Sequence, residues 1–325
     1  ESCWANPAAG YLQREMKSAP FFSIVTPTYN REQFLLEMIQ SVQAQSFLNY
    51  EHIIVDDGSI DGSEILVSRL AEQDDRIIYL KQENQGRCVA RNVGIEKSRG
   101  EYICFLDSDD FWKSAHLASI KKAIADNPKP GLFVTGLTWL FEDEDRSEEV
   151  NYRPRELYGS DVEFVIDNEF APDAVCVNRN ILKTFKFNPE LFINEDLELW
   201  ARIAVENTVC LVNKNTAILR VHQGNTSQEV NDYLAPQKAV FELQLQNPQV
   251  RSKLTDKFIA YRLRGFDELK IRHFKQVGKQ FSVFISTIRF LLKHPSDPYN
   301  KTRLVGLIYM VPGSRFLKKL VHSRR

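Results

Sequence analysis

The run Phe22-Ser23-Ile24-Val25-Thr26 is short, apolar and rich in β-branched residues, and Pro27 ends it. Beyond it Phe34, Leu35, Met38, Ile39 and Val42 recur at helical spacing. The pattern predicts a strand, a loop and a helix. It returns at His52-Ile53-Ile54-Val55, which stops at Asp56-Asp57-Gly58 and leads to a helix opening at Asp61, with Glu64 placed to complete a capping box. Arg76 to Leu80 reads as a third strand, a helix runs from near Gly86 to Gly100, and Tyr102 to Leu106 is a fourth strand ending in Asp107-Ser108-Asp109-Asp110. Short apolar strands alternating with helices of ten to fifteen residues predict a parallel, doubly wound α/β sheet.

Beyond residue 130 the alternation loosens. An apolar run at 131–140, an acidic loop from Glu142 to Glu149, a strand-like stretch at 174–177 and a helix over about 195–206 follow. After 229 strand patterns vanish, and Phe258, Tyr261, Phe266, Leu269, Phe274, Phe281, Phe284 and Ile288 alternate with Lys and Arg at helical spacing. The expected organisation is an N-terminal extension at 1–20, an α/β domain at 21–228 and a basic helical region at 229–325.

Charge sharpens that boundary. Of 42 Lys+Arg and 43 Asp+Glu, residues 229–325 hold 19 and 7, leaving 23 and 36 upstream, so a net charge of -1 conceals -13 followed by +12. A hydrophobic fraction of 43% argues for a packed globular core and against disorder. No apolar run reaches the ~20 residues that span a bilayer. The start Glu1-Ser2-Cys3-Trp4 carries neither Met nor a signal pattern, which leaves a trimmed chain open. Five cysteines with no CxxC pair read as thiols in a reducing cytoplasm.

Ligands of open α/β sheets lie at the carboxyl ends of the strands, and three of the four strand ends carry polar clusters. Asp107, Asp109 and Asp110 would repel one another unless a cation or several donors offset them. Hard divalent cations bind carboxylate and phosphate oxygens together, so the cluster reads as a metal site for a phosphorylated ligand. A solvated turn capping the next helix is the alternative. Asp56 could hold a ribose or base, although Asp and Gly are also ordinary turn residues. Tyr29, Asn30 and Arg31 offer an aromatic face and a cation. No GxxxxGK[ST] phosphate loop or GxGxxG occurs in these positions.

In order, Thr26-Pro27-Thr28-Tyr29-Asn30-Arg31, Val55-Asp56-Asp57-Gly58-Ser59, Gly86-Arg87-Cys88-Val89-Ala90-Arg91-Asn92-Val93-Gly94, Phe105-Leu106-Asp107-Ser108-Asp109-Asp110 and Asn194-Glu195-Asp196-Leu197-Glu198-Leu199-Trp200-Ala201-Arg202 resemble the successive motifs of glycosyltransferase family 2. The resemblance covers about 21–228. It implies a GT-A fold, with a mixed, mainly parallel sheet flanked by helices, that binds a nucleotide-diphosphate sugar through Pro27, Tyr29, Arg31, Asp56, Arg91, Asp107 and Ser108. Within that set Tyr29 stacks on the base, Asp56 hydrogen-bonds it and Asp107 reaches the ribose. Asp109 ligates Mn²⁺ or Mg²⁺, with His222 as a further ligand or a simple surface residue. Asp196 is the base, supported by Glu195, whose charge would raise the Asp196 pKa.

The implied activity is inverting, metal-dependent transfer of a hexosyl or N-acetylhexosaminyl group, from a donor expected to be a UDP-sugar, to a glycan or lipid-linked glycan in polysaccharide assembly. Competing readings are a silent nucleotide-sugar-binding scaffold and a sugar nucleotidyltransferase. The tail has two readings of its own. It lies on an anionic membrane surface at the cytoplasmic face, or it packs Phe258, Phe266 and Phe274 against the acidic domain. Nucleic-acid binding is not expected, since only charge favours it.

Overall fold

The computed structural model describes residues 19–222, 234–276, 280–294, 297, 300 and 303. Two compact units divide the chain, Glu1–Glu229 and Val230–Arg325. The first is built as β1 (Phe22–Thr28), α1 (Glu32–Gln43), β2 (Tyr50–Asp56), α2 (Ser63–Gln73), β3 (Ile77–Lys81), α3 (Arg87–Lys97) and β4 (Tyr102–Phe105). It continues with β5 (Phe111–Trp112), α4 (His116–Asp126), β6 (Leu132–Phe141), β7 (Arg146–Glu149), α5 (Asp161–Asn168), β8 (Val175–Asn178), α6 (Arg179–Thr184), α7 (Glu195–Ile203) and β9 (Val209–Val221).

The strands form one mixed sheet in the order β3-β2-β1-β4-β8-β6-β9-β5, with β7 beside β6. β3, β2, β1 and β4 run parallel. β8 then enters antiparallel between β4 and β6. β1 is central and buried along its whole length, which explains why it reads as a continuous apolar run rather than an alternating one. α1 buries Leu35, Met38, Ile39 and Val42, the stripe its spacing predicts. α3 lies close on β1, because a Cβ at Gly94 would come within 2.4 Å of the Val25 side chain. One turn earlier Ala90 packs with Ile53 and Val55 of β2, and Arg91 beside it reaches Asp107 just after β4.

Three local expectations change. The capping box at Asp61 does not form: α2 begins at Ser63 with no side-chain cap. Asp61 instead accepts from the backbone of Glu32 and Ser63, while Glu64 pairs with Lys81 on β3. The acidic loop over Glu142–Glu149 holds a 3₁₀ turn and strand β7, whose residues pair with Thr138 to Phe141. The helix predicted over 195–206 closes at Ile203.

Four described cysteines are unbridged, with Cys88, Cys104 and Cys176 buried and Cys210 half-buried. Cys3 and residues 224–227 lie outside the described residues. No helix among the described residues is long and apolar enough to cross a membrane.

The second unit contains α8 (Leu234–Gln246), α9 (Pro248–Arg251), α10 (Asp256–Gln276) and α11 (Gln280–Lys293). Asn247 caps α9 by accepting from Gln249 and Val250. Phe258, Phe266, Val283 and Phe290 are buried, and the Phe241 and Phe266 rings lie 5.9 Å apart. Leu269 is exposed. Much of the basic charge is paired locally: Asp267 meets Lys293 and His294, and Asp297 meets Arg264 and Arg303. The side chains of Phe274 and Phe281 lie outside the described residues.

Candidate active site

Pro27 and Thr28 are buried in the last positions of β1, where Thr28 accepts a backbone hydrogen bond from Asp57 at 2.8 Å. The first two strand ends are thereby tied together. Tyr29 follows with 46% of its surface exposed. Asn30 has a left-handed backbone, φ 51°, fixed by its amide donating to Ser59 Oγ and its Oδ1 accepting from Ile60. Asp56 is fully buried. Its Oδ1 accepts from Ser59 N at 2.7 Å and its Oδ2 from the Tyr79 hydroxyl at 2.6 Å. Both oxygens thus have a partner, and any ligand hydrogen bond would use their remaining lone pairs.

Asp57 is satisfied by the next loop. It accepts from Gln82 Nε2, Gln85 N and Gly86 N at 2.7–2.9 Å. Gly86 has φ 88°, a conformation that costs glycine little, and α3 starts at the following residue.

The turn after β4 carries the acidic cluster. Asp107 is half-buried, its amide donating to Asp173 Oδ1 at 2.7 Å and its Oδ1 accepting from Arg91 at 2.6 Å. Ser108 is buried. Asp109 faces His222, with Oδ2 to Nε2 at 3.2 Å, and Arg31, at 3.7 Å. Burial would raise the Asp109 pKa, but these two partners outweigh it and hold the carboxyl below its usual value. Asp110 is buried and accepts from Arg220 N at 2.7 Å. Burial and the neighbouring carboxylates push both Asp110 and Asp173 well above the ordinary range.

Asp107, Asp110 and Asp173 bring one ligand oxygen each within 4.8 Å of one another. Sequence reasoning missed Asp173, which sits in a 3₁₀ turn before β8 where no periodic pattern marks it. Arg220, whose backbone holds Asp110, adds a guanidinium paired with Glu37 and Glu142. The acidic trio offers carboxylate oxygens alone, the donors that suit Mg²⁺ or Mn²⁺, while Asp109, next to Asp110 in sequence, pairs an oxygen with the His222 imidazole nitrogen.

The second acidic group opens α7. Asn194 is left-handed, φ 57°, and Glu195 and Asp196 follow in the first turn. Arg91, 1% exposed, donates through Nη1 to Glu195 Oε1 at 2.6 Å while its Nη2 holds Asp107. One guanidinium therefore joins the strand-end cluster to the helix that carries Asp196. Arg87 also meets Glu195, with Nη2 2.8 Å from Oε2. Burial alone would raise the Glu195 pKa, and the two arginines reverse that. Asp196 has no such partner: burial first, and then the Glu195 charge, push its pKa up to about 7. Its Oδ1 accepts from Leu197 N at 2.8 Å.

Trp200 is buried, and Arg202 is engaged with Glu198 and the Lys186 carbonyl. Trp139 is 37% exposed.

Carboxylate-bearing strand ends on a mixed sheet of this order define the GT-A fold. The chain carries a glycosyl transferase family 2 domain, with residues 23–181 matching that family's model. Among curated relatives it is 30% identical over 229 residues to an uncharacterized glycosyltransferase of Rickettsia conorii, covering 69% of this chain and 37% of that protein. It is 43% identical over 100 residues to the putative teichuronic acid biosynthesis glycosyltransferase TuaG of Bacillus subtilis, covering 30% of this chain and 39% of that one. The chain thus spans little more than a third of the length of such relatives.

Among solved structures, S. aureus TarS 1–349 in complex with UDP superposes with a TM-score of 0.57 at 20% identity, covering 90% of this chain and 81% of that one. The mannosyltransferase PcManGT from Pyrobaculum calidifontis, in complex with GDP-Man and Mn²⁺, gives 0.51 at 17%, covering 88% and 94%.

Proposed function

We propose that the protein is an inverting, metal-dependent glycosyltransferase that moves a sugar from a nucleotide-diphosphate donor, a UDP-sugar, to a glycan or lipid-linked glycan in polysaccharide assembly. The observation that carries this reading is the Arg91 bridge, which sets Asp196 next to the strand-end cluster across 104 residues of sequence from Arg91 to Glu195. The TarS complex with UDP and the teichuronic acid name of a relative support the donor and the setting.

In this reading Tyr29 stacks on the base, and Pro27 lies buried near the end of β1. Asp56 accepts from the base and Asp107 from the ribose. Ser108 shapes the turn between donor and cation, and Arg31 lies beside the diphosphate. Arg91 acts by holding Asp107 and Glu195 rather than by reaching the donor, since it is almost fully enclosed.

Asp109 and His222 would hold Mn²⁺ or Mg²⁺. They are partly exposed, at 15% and 14% of their side chains, whereas Asp110 and Asp173 are enclosed and already bonded to backbone amides. The cation, when bound, offsets negative charge gathering on the departing diphosphate.

Asp196 accepts the proton of the acceptor hydroxyl as that oxygen bonds to the anomeric carbon. The carbon–diphosphate bond breaks on the opposite face, so the configuration inverts. A carboxylate with a pKa near 7 is well matched to a proton transfer at neutral pH.

Purified protein incubated with Mn²⁺, a panel of nucleotide sugars and candidate glycan acceptors tests the proposal by nucleotide release and by NMR of the product anomer. A retained anomeric configuration, or release of pyrophosphate from a sugar phosphate and a nucleoside triphosphate, would overturn it. Binding of donors with no transfer to any acceptor, and with Asp196→Asn indistinguishable from wild type, would favour the scaffold reading.

A further inference from the structure

Arg87 belongs to none of the roles above, yet it lies on the face of α3 that holds the chain leading into α7. Four residues of that face, at 87, 88, 91 and 92, share the spacing of one helical side. Asn92 exchanges two hydrogen bonds with the Phe187 backbone, at 2.9 and 3.0 Å, and the Cys88 thiol donates to the Leu191 carbonyl at 3.3 Å. Arg91 holds Glu195. Arg87 makes the remaining link: its Nη2 donates to the Phe192 carbonyl and to Glu195 Oε2, each at 2.8 Å, and its Nε lies 2.7 Å from Glu195 Oε1.

Those contacts fall on both sides of Asn194, whose left-handed backbone is uncommon for a residue with a side chain and persists only where its surroundings enforce it. We infer that Arg87 is a positioning residue: by pinning the Phe192 carbonyl and the Glu195 carboxylate around the left-handed Asn194, it fixes the place and charge environment of Asp196.

The inference rests on the reading of Asp196 as the base. The groups facing Asp196 are Glu195 and the Leu197 amide on its own helix and Arg87, Arg91 and Cys88 from α3, with Asp107 beyond Arg91. Removing Arg87 leaves Glu195 to Arg91 alone, a guanidinium already shared with Asp107. More uncompensated negative charge then faces Asp196, and its proton is held to higher pH. Arg87 is 32% exposed along its side chain, against 1% for Arg91, so its loss should be tolerated by the fold.

The test compares wild type, Arg87→Met, Arg87→Gln and Arg87→Lys as full chains with Mn²⁺. Three readouts are used: donor affinity by titration with UDP and UDP-GlcNAc, the pH profile of kcat, and amide hydrogen exchange over 187–196. Arg87→Met should lower kcat about tenfold or more, as small misplacements of a catalytic group do, leave donor affinity within about twofold, move the acidic limb to higher pH and speed exchange at Phe192 to Asp196. Arg87→Lys should restore the limb but not the full kcat, because an ammonium cannot span both partners as a planar guanidinium does. Should Arg87→Met fail to fold, Arg87→Gln keeps part of the stem and an uncharged amide donor and is read in the same way.

Weaker donor binding with an unmoved pH profile would make Arg87 a diphosphate contact and overturn the inference. Unchanged exchange over 187–196 would overturn it as well. Full turnover by Asp196→Asn would instead defeat the base assignment, and the exchange result separates that failure from this one.

Discussion

Two groups of buried and half-buried acids sit close together here and are accommodated in opposite ways. At the end of β4, Asp107, Asp110 and Asp173 face one another, and only Asp107 has a guanidinium; burial and mutual repulsion leave Asp110 and Asp173 holding protons far above the usual range. At the start of α7, Glu195 receives two arginines and stays ionised, while Asp196 beside it receives none and rises to about 7. A buried carboxylate must find a counter-charge, a set of donors or a proton. The contrast shows which choice suits which task. A doubly clamped acid is a fixed charge and a structural anchor, whereas an acid left without a cation partner near neutrality can exchange a proton.

The largest break in this comparison should come from Asp196→Asn. Transfer should fall by about 10²–10⁴ with donor binding kept, measured by nucleotide release beside titration with UDP. In wild type the kcat profile should rise with pH through about 7, since the base must be ionised. The folded state holds the Asp196 proton more tightly than the unfolded chain, so that group's favourable contribution is full below its unfolded pKa of about 4 and is lost as pH climbs towards 7. Thermal unfolding of Asp196→Asn across that window should lack this part of the pH dependence.

Next in size is Arg91→Met, which strands Asp107 and Glu195 together. Removing one partner of a buried ion pair costs about 3–5 kcal/mol, measurable by denaturant unfolding of the intact chain. A loss of only a few tenths would mean that the two acids are offset elsewhere.

Cation addition divides the strand-end cluster itself. Mn²⁺ at about 100 times its dissociation constant should stabilise wild type by about 2.7 kcal/mol. Asp109→Asn should abolish the gain in a thermal-shift measurement and Asp173→Asn should keep it. The reverse result would move the cation from Asp109 and His222 to the enclosed trio. The smallest effect should be that of Tyr79→Phe, which removes one donor from Asp56, a buried acid whose hydrogen bonds come from Ser59 N and the Tyr79 hydroxyl. Its loss should cost about 1 kcal/mol in stability with an equally modest weakening of UDP affinity.

Much of this site is legible along the chain because strand ends are local features. β1, β2 and β4 end at Thr28, Asp56 and Phe105, and within the next two residues apolar runs have given way to polar stretches rich in Asp, Asn and Gly. The buried stripe of α1 is equally plain, since helical period and burial coincide at Leu35, Met38, Ile39 and Val42. The capping box at Asp61 fails because Glu32, distant in sequence, offers its amide to the same carboxylate. Strand β7 is hidden because its residues, Arg146 to Glu149, carry charge rather than apolar alternation, and among the described strands it pairs with β6 alone. Such charge is common on sheet edges.

The order of hydrophobic runs and the residue types at their ends were determined by the sequence alone, since both follow from burial and backbone propensity over a few neighbours. Which acids meet was decided only in three dimensions. Asp173 joins Asp107 across 66 residues, and Glu195 meets Arg91 across 104. Nothing in a local pattern encodes that distance: β8 must insert antiparallel beside β4, and Gly94 must let α3 down onto β1, before burial and the two arginines can hold one carboxylate ionised and leave its neighbour with a pKa of about 7.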